Sequence, residues 1–452
     1  MKGKKSPAPV RDLAALEQIN LHAAGVDIGA AEIYVAIPPG RAAESVRSFA
    51  PFTADLHSCA AWLAACGIET VAMESTGVYW IPLFEILERR GFEVYLVNAR
   101  HVKNVSGRKT DVLDCQWLQQ LHTYGLLQPS FRPPEEICAL RSLVRQRAML
   151  IKYRGSHVQH MQKALQQMNL KLTNVLTDIT GQTGLQIIRA IVAGERCPAV
   201  LARLRDRRCH KSELEIAQSL EGHYQREHLF ALRQALELYD FYGQQIRACD
   251  VELEAMYQEF SVPAEPGTPP PAPRKGRRRK NHPHFDLGQA VYRLAGVDLT
   301  QVDGIDALLA QEILTTIGTD MSKWPTVKHF ASWLRLAPNN KITGGQVKQR
   351  GTLPTQNRAN TALRLAAQSL ARSDSALGGF YRRVRTKHGA PVAVTATAHK
   401  LARIIYFMLK RQEPYRDPGA EYYDQQYQAR VLRNLQRRAA KLGMRLEPIP
   451  IG

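Results

Sequence analysis

The first hundred residues set the fold class. Ala24-Gly25-Val26-Asp27-Ile28-Gly29 reads as a strand ended by glycine, and Ile33-Tyr34-Val35-Ala36-Ile37 as its hairpin partner. Val46 to Phe49 supply a third strand. Thr53 opens a helix through Trp62 and Leu63 that stops before Gly67. Thr70-Val71-Ala72-Met73-Glu74 is a buried strand broken by Ser75-Thr76-Gly77. Tyr79 to Arg90 is a helix ending at Gly91, and Glu93 to Val97 is a further strand. A three-strand meander followed by alternating helix and strand predicts an α/β domain with a mixed sheet. Asp27 then lies on the first strand and Glu74 ends a central one. In such a sheet the ends of adjacent strands share one crevice.

Asn98 to Arg108 is a polar, basic loop, and the helix after it begins Asp111-Val112-Leu113-Asp114. The i, i+3 spacing puts both carboxylates on one face. The plain reading is that Asp111 caps the helix and Asp114 faces solvent beside its positive end. The other is that Asp27, Glu74, Asp111 and Asp114 converge, where their mutual repulsion calls for cations. Four carboxylates suit two oxygen-seeking Mg²⁺ ions. Two such ions ~3.5–4 Å apart stabilise the attacking and leaving oxygens of a phosphodiester.

Charge points to the same class of substrate. Lys and Arg number 61 against 41 acids, a formal charge of +20 over 452 residues. A protein this basic meets a polyanion, with nucleic acid the default and a membrane surface the weaker alternative. No apolar run approaches the ~20 residues of a membrane span, so no membrane is expected. The seven cysteines, Cys59, Cys66, Cys115, Cys138, Cys197, Cys209 and Cys249, show neither zinc nor disulfide spacing. They read as reduced thiols in a cytoplasmic protein.

The rest of the chain is mostly helical. Residues 1–22 are a basic arm, 23–134 the α/β domain and 135–261 a helical region. Within it Leu232, Leu236, Tyr239, Gly243, Ile246, Asp250, Leu253, Tyr257 and Phe260 repeat at steps of four and three. This heptad-like seam fits an intramolecular hairpin or a dimeric coiled coil equally. Arg141, Arg145, Arg147, Lys152, Arg154, His157, His160 and Lys163 decorate one helix with little acid nearby. They form either a solvated face or a phosphate-contacting one. Residues 262–286 are a Pro-rich linker whose basic run includes Arg277, Arg278 and Arg279, and they read as the clearest domain boundary.

Residues 287–414 form a second globular unit and 415–452 a basic tail. Val302-Asp303-Gly304-Ile305-Asp306 resembles the Gly turn of a helix-hairpin-helix element, which would aim backbone N–H groups at phosphate. Asn339 to Gln356 reads as a Gly-rich loop carrying Lys341, Thr343, Gly344, Gly345, Lys348 and Arg350. Arg358 to Arg372 and Pro391 to Lys410 are strong helices.

Three motifs taken in order resemble one family: Val26-Asp27-Ile28-Gly29, Met73 to Trp80 and Arg108-Lys109-Thr110-Asp111-Val112-Leu113-Asp114. They are similar to the Asp-Glu-Asp-Asp transposases of the insertion-sequence-110 family. The helical insert, Ala366 to Leu370, Gly378 to Arg383 and Thr395 to Leu401 resemble its 1111 subgroup. The resemblance runs from about Ala24 to about Gly419.

It implies a RuvC-like, ribonuclease-H-type first domain with Asp27, Glu74, Asp111 and Asp114 as its Mg²⁺-binding tetrad. It implies a mostly helical transposase domain after the coiled-coil insert. Members are DNA recombinases guided by a structured non-coding RNA that pairs with target and donor DNA. They assemble as dimers and tetramers in which one subunit's RuvC-like domain completes a site with another's transposase domain. The setting would be the bacterial cytoplasm, on nucleoid DNA. The family's second domain links covalently to DNA through a serine in a Ser-Gly motif. Here the matching residue is Thr343, in Ile342-Thr343-Gly344-Gly345. Its hydroxyl can attack phosphorus, but its methyl crowds the approach. Ser332 and Ser369 are nearby serines on predicted helices. Arg108, Lys109, Arg141, Arg145, Lys152, Arg154, Arg277, Arg278, Arg279, Lys341, Lys348 and Arg350 are the expected nucleic-acid contacts.

Other readings stay open. One is a metal-only RuvC-type structure-specific nuclease with water as nucleophile. Another is a non-catalytic nucleic-acid binder. Val26 to Gly29 also looks like the first phosphate loop of sugar kinases and actin-like ATPases, but no second Asp-x-Gly loop follows in a strand-turn-strand context.

Overall fold

The computed structural model describes residues 17–75, 77–98, 111–260, 270–272, 280–349 and 351–447. The chain divides into two compact units, Met1–Arg132 and Pro133–Gly452.

The first unit is built on a five-stranded sheet. Its strands are β1 (Ala23–Ile28), β2 (Ile33–Ala36), β3 (Val46–Phe49), β4 (Thr70–Glu74) and β5 (Glu93–Val97). They lie in the order β3-β2-β1-β4-β5. β1, β2 and β3 pair antiparallel, while β4 runs parallel to both β1 and β5. The mixed sheet expected from the strand pattern is therefore present.

Alternation sorts its side chains onto two faces. Ala24, Val26, Ile28, Val71 and Met73 join Leu56, Cys59, Ala60 and Leu63 of α1 (Thr53–Ala65) in one apolar core. Leu83, Phe84 and Leu87 of α2 (Trp80–Arg89) complete it. On the other face Ala72 and Val97 pack with Leu118 of α3 (Asp111–Thr123) and with Leu127. Arg132 fastens the end of the unit, donating to Glu85 and Glu88 at 3.1 Å each and lying over the Phe84 ring.

A buried histidine closes the far end of α3. His122 has no exposed surface and lies against Tyr95, ring centroids 4.5 Å apart. Thr70 Oγ1 donates to the Glu93 carbonyl at 3.0 Å, so the 2.8 Å contact to His122 Nε2 makes that nitrogen the donor. Burial lowers the His122 pKa to about 4. The unfolded chain then binds a proton near pH 6.5 that the folded one refuses. Stability is complete above that pH and falls as pH drops towards 4, by about 1.4 kcal/mol per unit. Urea unfolding between pH 7 and 4.5 should show this slope, and His122→Phe should flatten it.

The second unit is helical. α4 (Glu135–Gln167) and α9 (Arg226–Glu259) are long helices packed along one another. Between them run α5 (Leu172–Val175), α6 (Gln182–Ala193), α7 (Pro198–Arg203) and α8 (Glu213–Ser219). Of the heptad-like seam, Leu232, Leu236, Gly243, Ile246, Asp250, Leu253 and Tyr257 are buried. The seam is closed within the chain as a helical hairpin. Periodicity could not choose between this and a dimer, because a seam carries no mark of its partner.

After the linker come α10 (Leu287–Ala295), α11 (Ala307–Ile317) and α12 (Val327–Trp333). A hairpin follows, β6 (Lys341–Thr343) with β7 (Gln346–Gln349). The chain continues as α13 (Arg358–Ser369), α14 (Ala376–His388), α15 (Ala390–Arg411) and α16 (Gly419–Lys441). Among the described residues, only α15 is long and apolar enough to span a membrane. Val394, Ala398, Leu401, Ile405 and Met408 on it are buried in the core.

Three expectations change here. Residues 262–286, read as the clearest boundary, lie within the second compact unit because the linker's end is bonded to the helical hairpin, while the division falls at Arg132, beside the expected end of the α/β domain at residue 134. Arg147 of α4 and Asp250 of α9 form a buried ion pair. Arg147 also donates to the Asn281 carbonyl at 3.0 Å, and Asp250 accepts from the His284 amide at 3.1 Å. Lys280 bonds Asp178 at 2.9 Å. Second, the Gly304 turn faces inward: a Cβ there would stand 2.6 Å from the Ala366 carbonyl oxygen. Third, part of the expected tail is helix α16, and part of the Gly-rich loop is the β6–β7 hairpin.

Candidate active site

The candidate site grows from one close contact. Gly25 sits on the β1 face that α3 covers. A Cβ there would lie 2.2 Å from the Gln119 amide nitrogen and 2.3 Å from the Cys115 carbonyl oxygen. Only glycine lets the helix backbone rest on the strand. Asp27, two residues on, shares that face. The β1–β4 register ends at Val26↔Met73, so Glu74 stands beside Asp27 on the neighbouring parallel strand. Asp111 and Asp114 occupy the first turn of α3, the turn before Cys115.

Asp27 is thus the hub of the four acids. It is half-buried, as are Glu74 and Asp114, while Asp111 is exposed. Its pKa is raised to about 6, first by burial and then by Asp111, Asp114 and Glu74, with a backbone bond from Ile28 pulling the other way. Three elements therefore bring four carboxylates within electrostatic reach of one another. An all-oxygen set of this charge suits a hard divalent cation, which would relieve the repulsion. Among the described residues, no three of His, Cys, Asp or Glu already stand in a metal-holding arrangement.

Gly25→Ala would force α3 off the sheet. It should destabilise the first unit by at least about 2 kcal/mol and reduce activity at every pH. Urea unfolding checks the first, and cleavage assays the second. Gly25 escaped the reading of catalytic residue types. Its signal was a glycine inside an apolar strand, which marks a close backbone approach.

Thr343 belongs to the second unit. It ends β6, exposed at the tip of the hairpin, and pairs with Gln346. Gly344 and Gly345 follow with φ of +57° and +74°. Positive φ at both central residues is the signature of a type I′ turn. Ser369 ends α13 and donates to the Ala366 carbonyl at 2.8 Å, while Ser332 lies within α12.

The expected basic contacts divide. Lys152 and Lys348 are exposed. Arg141 donates to the Thr315 and Thr316 carbonyls at 2.7 and 3.1 Å. Arg154 bonds Asn281 and lies over the Tyr239 ring, and Arg145 is exposed near Arg358 and Glu312. Arg108, Lys109, Arg277, Arg278, Arg279, Arg350 and the side chain of Lys341 lie outside the described residues.

An α/β unit with an acid cluster, followed by a helical unit, defines the class, and sequence comparison identifies the family. Residues 24–170 match the model of the DEDD transposases of IS110 type. Residues 298–382 match the one described as "Transposase IS116/IS110/IS902 family". Together they cover about half the chain, which belongs to this transposase family. A Pseudomonas aeruginosa protein named "Probable family 20 transposase" is 29% identical over 126 residues. That match covers 27% of this chain and 37% of the relative.

Proposed function

We propose that this chain is an RNA-guided DNA recombinase of an insertion sequence, acting on the element's ends and its target. Its first unit would be a RuvC-like, ribonuclease-H-type domain. The strand order β3-β2-β1-β4-β5, with an acid on each of the central strands β1 and β4, supports that reading. The observation that carries it is the crowding of Asp27 by Glu74, Asp111 and Asp114.

Those four carboxylates would hold Mg²⁺, two ions in the reading favoured by the sequence. The ions would neutralise charge on the reacting phosphate. Thr343 supplies the nucleophile. Its Oγ1 forms a bond to phosphorus as the phosphate's bond to a sugar oxygen breaks. Oγ1 gives up its proton and the leaving oxygen gains one. The reverse attack by a sugar hydroxyl rejoins the strand and releases Thr343. Lys348, exposed on the neighbouring strand β7, is suited to steadying the phosphate. The homodimer would assemble to a tetramer in which the acids of one subunit serve Thr343 of another, in the bacterial cytoplasm.

The test is a denaturing gel of the full chain incubated with element-end DNA, the flanking non-coding RNA and Mg²⁺. A covalent protein–DNA adduct, absent from Thr343→Ala and from Asp111→Asn, is expected. Nicked DNA without adduct, lost in Asp111→Asn but kept in Thr343→Ala, would replace this reading by a metal-only nuclease.

A further inference from the structure

Helices α14 and α15, and α16 beyond Asp424, carry charge of one sign, while the first turns of α16 hold Glu421 and Asp424. Residues 375–412 contain eight Lys and Arg and no Asp or Glu. Past Asp424, α16 adds Arg430, Arg433, Arg437, Arg438 and Lys441, with no acid before Glu447. A solvated helix face ordinarily alternates its charges.

Packing brings part of this charge together. Lys400 of α15 is half-buried, its Nζ 4.1 Å from the centre of the Phe380 ring on α14. Arg383, one turn further along α14, lies 4.0 Å over the Tyr427 ring of α16. Two aromatic rings thus seat two cations among three helices. Arg403 and Arg430 are exposed beside them. Burial, then Arg403 and Arg430, lower the Lys400 pKa, and burial, then Arg403, lower that of His399. Arg403 and Arg430 thus add charge of the same sign beside Lys400. Such a cluster is costly alone and favourable around an anion.

We propose that Arg383, Lys400, Arg403 and Arg430 form a phosphodiester-binding site that grips the backbone of a nucleic-acid duplex. The spread of cations over three helices fits a chain of phosphates better than one ion. The rings argue for a duplex. Single-strand binders stack bases on open aromatic faces, whereas one face of each ring here is taken up by Lys400 or Arg383. Backbone contact of this kind positions a duplex without reading its sequence.

The site shares with the catalytic reading only the expectation of nucleic acid, so its test omits catalysis. The full chain is titrated in EDTA with fluorescent DNA duplex, RNA duplex and single-stranded DNA of arbitrary sequence, over a range of KCl. The variants are Arg403→Gln with Arg430→Gln, both at exposed positions, and the same pair with Lys400→Gln. A charge-matched control carries Arg207→Gln, Lys323→Gln and Lys328→Gln. The double and triple variants should flatten the slope of log affinity against log salt by about 0.9 per lost contact. They should also weaken duplex binding at least about tenfold, with the control changing far less. Loss on DNA alone, RNA alone or both identifies the duplex gripped. An unchanged slope, an equal loss in the control, or a loss confined to single strands would overturn the proposal. Circular dichroism, with Lys400→Arg retaining binding, separates it from misfolding.

Discussion

Asp27→Asn is expected to abolish strand cleavage and, at the same time, to stabilise the metal-free protein at neutral and alkaline pH. The two effects have one cause. Asp27 titrates near 6 in the fold, against an ordinary 3.8, because burial and three carboxylates oppose its ionisation. Between those values the folded state keeps a proton that the unfolded chain has released. That contribution to stability is full below about pH 4 and is lost as pH rises through 6. The full shift would correspond to roughly 3 kcal/mol at about 1.4 kcal/mol per unit, and because Asp27 is only half-buried solvent screening cuts the expected loss to about 1 kcal/mol. Asparagine carries no charge and escapes it. Urea unfolding in EDTA at pH 5 and pH 8 should show the variant's advantage present at pH 5 and clearly larger at pH 8. Mg²⁺ should narrow the gap by binding the wild type alone. An equal advantage at both pH values would mean that the acids do not crowd Asp27.

Thr343→Ser is expected to speed adduct formation on the order of tenfold, equivalent to about 1.4 kcal/mol of barrier. The type I′ turn leaves Thr343 exposed at the hairpin tip, so room for the substrate is not the obstacle. In the proposed mechanism the methyl beside Oγ1 restricts χ1 and crowds the approach to phosphorus. Serine keeps the hydroxyl and removes that methyl. Single-turnover kinetics resolved on a denaturing gel read the effect directly. An unchanged rate would place the slow step elsewhere, and a slower one would mean that the methyl orients the attack. Thr343→Ala should lose the adduct by at least about a thousandfold.

Much of the first unit was legible because its strands are short, apolar and punctuated by Gly67, Gly77 and Gly91. Asp27 and Glu74 could be put at strand ends from that pattern alone. What brings α3 to them could not, since Gly25 contributes by lacking a side chain. The β6–β7 hairpin was hidden for a different reason. Its strands are polar and short, and its clearest mark is the Gly344-Gly345 pair. That the second unit continues through residues 262–286 was not legible, because proline and charge mark a linker only locally. The bonds from Arg147 to Asp250 and Asn281 span more than a hundred residues and leave no local trace. The convergence of Lys400 with Phe380 and Arg430 is equally non-local, although the missing acids were countable.

The Arg147–Asp250 pair has a consequence for how the chain can vary. It holds Asn281 and His284 against the same helix pair from which the linker departs. Both ends of the span between are therefore moored, and within it the Pro271 carbonyl accepts from the Gln289 side chain. Doubling such a span costs only about 0.6 kcal/mol in closure entropy. Its length is close to a free parameter, and a reporter domain spliced between residues 260 and 280 should leave the helices on either side in register.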